Sequence, residues 1–97
     1  MIEIFHEDNV NYFKTIRKYI LPNKGFVLNH YTNGPDAEHN KLHKFDCETL
    51  PKKGGGNATY YEKICSDDFF ELFSHLNDNY GKLNEYFSYC RTCNPGP

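Results

Sequence analysis

Cys90-Arg91-Thr92-Cys93-Asn94-Pro95-Gly96-Pro97 is the stretch that decides how this chain can hold itself together. Two residues between cysteines let both sulfurs reach one metal ion from a tight turn. Thiol–disulfide motifs share that spacing, but there the pair follows a strand and opens a helix. Here the pair is followed by Asn94-Pro95-Gly96-Pro97, which closes the sequence, and no helix is expected to follow. The motif therefore reads as half of a metal site, and the other half must come from upstream. Cys47 and Cys65 are the remaining cysteines, and His43 precedes Cys47 by four positions.

The need for such a staple follows from size. The chain has 97 residues, enough for one domain spanning 1–97. A mean hydropathy of −0.78 leaves little apolar surface to bury, and packing alone stabilises chains of this length thinly. Aromatic residues make up 16%, which argues against disorder. The net charge of −2 excludes a globally basic nucleic-acid binder, so any such binding needs a local patch. No stretch approaches the ~20 apolar residues of a membrane helix. Met1-Ile2-Glu3-Ile4-Phe5-His6-Glu7-Asp8 has neither the basic nor the apolar region of a signal peptide. A cytoplasmic location is expected, where reducing conditions disfavour disulfides and four cysteines read as metal ligands. The competing reading is a secreted domain, its leader removed, with two disulfides.

Periodicity supplies the elements. Val10, Phe13, Ile16 and Ile20 share one face of a helix over 8–20, with Asp8 as N-cap and Tyr12 and Tyr19 flanking. Pro22 and Gly25 end it. Residues 25–31 and 40–45 read as strands of a hairpin across the Thr32–Asp36 turn, and residues 59–64 as a third strand. Ser66-Asp67-Asp68 opens a second helix, with capping-box spacing from Asp68 to Glu71 and a stripe of Phe69, Leu72, Phe73 and Leu76 that ends at Gly81. Tyr86-Phe87-Ser88-Tyr89 is a short extended run into the Cys90 knuckle. The fold expected is a small α+β domain with a three- or four-stranded sheet, two helices and one structural zinc site.

A tetrahedral Zn2+ takes four ligands, and five are on offer. The parsimonious set is Cys47, Cys65, Cys90 and Cys93; the alternative replaces Cys65 with His43. Either set is closed and leaves no position for a catalytic water. Lys44, Lys63 and Arg91 stand beside ligands and can offset the thiolate charge. Taken in order, Gly25-Phe26-Val27-Leu28-Asn29, Leu42-His43-x3-Cys47, Lys63-Ile64-Cys65 and Cys90-x2-Cys93-x-Pro95 resemble a small bacterial domain of unassigned function. The resemblance spans nearly the whole chain. It implies a shared fold and metal binding, and no reaction.

Three classes of function fit these residues. A non-enzymatic binding module for nucleic acid is favoured, using His43, Lys44, Lys52, Lys53, Tyr61 and Lys63, because lysines interleaved with aromatics such as Phe26, Tyr31, Tyr60 and Tyr61 suit phosphate contact and base stacking. Most of those aromatics are nevertheless expected in the core. Lys52-Lys53-Gly54-Gly55-Gly56-Asn57 lacks Walker spacing and reads as a solvated loop. The alternative is a protein-binding module or inhibitor, related to phage or defence. A metal-dependent nuclease assembled from His43 with Asn29, His30 or Glu62 is the minority reading. A ββα-metal nuclease needs a helix directly after its hairpin, and the glycine-rich loop and a strand stand there instead.

Overall fold

The computed structural model describes residues 1–20, 25–31, 36–48, 50, 59–81, 83–93 and 95. The Thr32–Pro35 part of the expected turn and the Lys52–Asn57 loop lie outside them. Among the described residues the order is β1 (Glu3–Phe5), α1 (Asn9–Ile20), β2 (Phe26–His30), β3 (Lys41–Lys44), β4 (Glu62–Ser66), α2 (Phe69–Tyr80), α3 (Leu83–Tyr86) and β5 (Ser88–Tyr89). The architecture is α+β, with one five-stranded sheet in the order β1-β4-β2-β3-β5. Every pairing is antiparallel except β3 with β5, which is parallel.

Alternation along the strands sorts the side chains onto two faces. Val27 sits between His43 and Cys65 in one cross-strand row, and Leu28 sits between Leu42 and Ile64 in the next. The Val27 face packs against Tyr12, Phe13 and Ile16 of α1, together with Phe45, Cys47 and Cys90. The Leu28 face packs against Leu72 and Leu76 of α2, both fully buried. Two twelve-residue helices thus cover opposite faces of the sheet.

Local chemistry fixes the ends of the elements. Asp8 caps α1, its carboxylate accepting from the Asn11 N–H at 3.2 Å. Asp68 caps α2, accepting from the N–H groups of Phe70 and Glu71. Glu71 does not close the expected box on Asp68. It accepts from the Ser66 hydroxyl at 2.8 Å, and that hydroxyl accepts from the Asp68 N–H. Gly25 enters β2 at φ +125°, and a methyl group there would overlap the Phe45 ring; only glycine suits both demands.

The sheet has one strand more than expected at most. Glu3-Ile4-Phe5 is too short and too charged to announce itself, and it is a strand because β4 presents an open edge to it. The third strand begins at Glu62 rather than Thr59, because Thr59 turns back to α1: its N–H and hydroxyl both donate to Asn9 Oδ1 at 3.0 Å. Val10, expected on the buried stripe, is 73% exposed, and Tyr12, expected on its flank, is fully buried. The helix is rotated so that its largest ring fills the core. Tyr86 belongs to α3 rather than to the extended run.

Candidate metal centre

The parallel pairing of β5 on β3 builds the centre. Ser88 lies beside Lys41 and Tyr89 beside Leu42, so Cys90 emerges level with His43. The register is locked by the Cys90 N–H donating to the Leu42 carbonyl at 2.9 Å. The chain then turns at both strand ends. After β3, the Cys47 N–H donates to the Lys44 carbonyl at 3.1 Å, folding Cys47 back toward Cys90. After β5, the turn over 91–93 brings Cys93 under the end of β3, where its sulfur accepts from the Lys44 N–H at 3.3 Å. Two tight turns on adjacent parallel strands therefore converge on one point.

At that point the ligand atoms of His43, Cys47, Cys90 and Cys93 all lie within 4.8 Å of one another, so the group could hold a metal ion. The sulfurs of Cys47 and Cys90 are 3.8 Å apart. A tetrahedral ion with metal–sulfur bonds of ~2.3 Å places its sulfurs about 3.8 Å apart, so this edge of the group needs no adjustment. His43, Cys47 and Cys90 are buried, and Cys93 is partly exposed.

The electrostatics agree with the geometry. Burial opposes ionisation of the Cys90 thiol, but the N–H groups of Cys93 and Thr92 and the thiols of Cys47 and Cys93 direct hydrogen bonds at its sulfur and bring it down to about 7. Cys93 moves the other way. Burial pushes it up, and despite the Lys44 N–H its hydrogen bonds with Cys47 and Cys90 and the charge on Cys47 push it further. One thiolate forms readily and the next is repelled by it; a divalent cation removes that conflict. Backbone N–H groups aimed at sulfur are also what a coordinated thiolate needs around it.

Cys65 is not brought to this group. It is fully buried on β4 in the row of Val27 and His43, and burial pushes its thiol far up. Strand order is the reason: β2 lies between β4 and β3, and two strand spacings are about 10 Å. Of the two sets open in the sequence, the tertiary structure assembles three cysteines and a histidine.

The residues expected to contact a ligand are dispersed. Lys44 stands half-buried at the rim of the metal group, beside a depression of about 250 Å³ that it shares with Asp46, Cys47, Glu48, Thr92 and Cys93. Lys63 lies on the Val27 face, two strands from His43, and is buried, its ammonium donating to Asn29 Oδ1 at 2.7 Å. Desolvation lowers its pKa to about 8. It stands near Cys65 rather than the metal group. Lys41 donates to the Ser88 hydroxyl at 2.7 Å. Lys52 and Lys53 lie outside the described residues. His43 is on the Val27 face and His30 on the Leu28 face, so the set drawn on for a nuclease is divided by the sheet.

A second constellation joins residues that the sequence offered only separately. His30 and Glu62 are cross-strand partners at the end of β2 and β4, with Nδ1 and Oε1 2.9 Å apart. The other ring nitrogen of His30 meets the Tyr86 hydroxyl. Burial raises the Tyr86 pKa to about 12, so that hydroxyl stays protonated. Tyr31 and Tyr61, the next residues outward, meet at a ring distance of 4.4 Å. The signal that could have found them is the antiparallel pairing of strands 26–30 and 62–66, which places residue 31 opposite residue 61.

The fold and this group define a class: a small α+β domain whose C-terminal knuckle and central hairpin converge on a Cys₃His cluster able to hold a metal ion. Compared with known protein families, with curated proteins and with solved structures, the chain matches none of them. The resemblance seen in the sequence therefore carries no family assignment, and its supported content is the cluster itself.

Among the described residues no helix is long and apolar enough to cross a membrane.

Proposed function

We propose that this protein is a zinc-stabilised, non-enzymatic binding module whose ligand is a partner protein. The observation that carries the metal reading is the convergence of His43, Cys47, Cys90 and Cys93 within 4.8 Å. Three soft thiolates and one imidazole in a tetrahedral group suit Zn2+ among the common ions. Four protein ligands fill its coordination and leave no open position for water, which is the signature of a structural site. Zn2+ there would tie the end of the central hairpin to the C-terminal edge strand, in a chain with little core to spare.

The choice of partner follows from where the side chains stand. A nucleic-acid face requires several free cations on one surface. The ammonium of Lys63 is buried against Asn29, that of Lys41 is held by Ser88, and Lys44 lies on the other face of the sheet from both. Exposed aromatics are more prominent: Phe70 is 70% exposed and Tyr60 58%. Such rings on a surface favour protein contacts.

Metal analysis of the purified chain is expected to give one zinc per molecule, and a strong chelator to unfold it. Absence of zinc together with an unchanged melting curve in chelator removes the structural-metal reading. A fluorescent single-stranded oligonucleotide is expected not to bind at 50 mM or 200 mM salt. Binding that is tight at low salt and lost at high salt restores nucleic acid as the ligand.

A further inference from the structure

At the far end of the sheet from the metal group, the strand ends build a pocket of about 240 Å³ lined by His6, His30, Tyr31, Tyr60, Tyr61 and Glu62. Antiparallel pairing of β2 and β4 puts Tyr31 against Tyr61, and the bend before β4 turns Tyr60 across them. The Tyr60 and Tyr61 rings stand 4.9 Å apart at 87°, two walls of a corner. Tyr31 packs directly against the Tyr61 ring at 4.4 Å and 36° and supports it. It is backed by His39, stacked on it at 5.0 Å, and His39 is in turn held by Asp36. All three tyrosines keep 38–58% of their surface exposed, although a chain this poor in apolar residues gains most by burying its rings.

Glu62 supplies a carboxylate, and among the described residues no lysine or arginine lines the walls. The neighbouring Lys63 lies on the other face of the sheet from Glu62, where its ammonium donates to its cross-strand partner Asn29. The carboxylate is held in place from behind, because His30 Nδ1 lies 2.9 Å from Oε1 while Tyr86 occupies the other ring nitrogen. Perpendicular electron-rich rings with one fixed negative charge attract a cation and disfavour a phosphate.

We propose that Tyr31, Tyr60, Tyr61 and Glu62 form a binding site for an alkylammonium group. The ring faces hold the cation by its methyl or methylene groups, and the carboxylate sets the sign. The chemistry is shared by a free quaternary amine and by a lysine side chain, methylated or not, presented by a partner. The assignment rests on the chain being a binding module and not on the metal.

Binding is tested by NMR titration of the zinc-loaded chain, following the tyrosine ring signals. The probes are choline, an acetylated trimethyllysine amide, a short peptide carrying trimethyllysine, and 3,3-dimethylbutanol as the neutral isostere of choline. The cations are expected to shift the Tyr31, Tyr60 and Tyr61 resonances saturably, and the neutral isostere to bind about three- to thirtyfold more weakly. Tyr60→Leu and Glu62→Gln are each expected to weaken choline binding at least about threefold. Tyr60 is the most exposed of the three rings, so its variant keeps the fold. A peptide that binds more tightly than choline identifies the source as a partner's side chain; the reverse identifies a free amine. Equal binding of choline and its neutral isostere overturns the proposal, as does unchanged binding by Tyr60→Leu. Oligothymidylate shifting the same tyrosines when the cations do not also overturns it, in favour of base stacking. Zinc content and the amide spectrum are recorded for each variant. Loss of the metal reading collapses the whole spectrum, whereas failure of this site leaves both intact.

Discussion

Replacing His43 and Cys65 one at a time separates the two metal sets. Structural zinc contributes on the order of 10–16 kcal/mol of folding free energy in small domains. A quarter share for one ligand is about 3–4 kcal/mol, or two to three orders of magnitude in zinc affinity. At fixed free zinc that loss passes into stability. For a domain of this size each kcal/mol is about 4–8 °C in Tm, so His43→Ala should melt roughly 15–30 °C below the parent. Cys65→Ala removes one sulfur from the packed region between α1 and the sheet, outside the ligand group. The loss resembles deletion of one buried methylene-sized group, about 1 kcal/mol, hence about 4–8 °C. Competition against a chromophoric chelator reads affinity, metal analysis reads stoichiometry, and circular dichroism reads Tm. The reasoning is refuted if His43→Ala keeps parental zinc affinity while Cys65→Ala loses it, because the strand order then cannot be as described.

Other perturbations test the fold around the site. Gly25→Ala forces a side chain into the Phe45 ring at φ +125° and should cost about 2–5 kcal/mol, seen as a large drop in Tm or loss of soluble protein. Tyr12 is fully buried and its hydroxyl has no hydrogen-bond partner among the described residues. Tyr12→Phe should therefore be neutral or stabilising by about 1 kcal/mol in urea denaturation, where an ordinary hydrogen-bonded tyrosine would lose stability. Lys63 has a folded-state pKa of about 8, brought down by burial from the ordinary 10.5. The folded chain gives up this proton before the unfolded chain does, so the Lys63 contribution favours folding increasingly from about pH 8 toward 10.5. Urea midpoints of the parent relative to Lys63→Met should climb over that window; a constant difference would mean that the ammonium is not desolvated.

The Cys90-x-x-Cys93 knuckle, both long helices, the central hairpin and the Asp8 and Asp68 caps were legible in the sequence, because each depends on residues within one or two turns of one another. The choice between His43 and Cys65 was not. Both flank Val27 on one face of the sheet, and nothing within four residues of either distinguishes a ligand from a core side chain. The strand order brings His43 and not Cys65 to the other cysteines, by placing β5 beside β3 and leaving β4 two spacings away. The rotation of α1, which exposes Val10 and buries Tyr12, is likewise a matter of what volume the sheet face needs filled. The meeting of Tyr31, Tyr61, His30 and Glu62 depends on register between strands more than thirty residues apart. Sequence fixes what local hydrogen bonds and periodicity can fix; which distant side chains share a point in space is set only when the sheet closes its order and register.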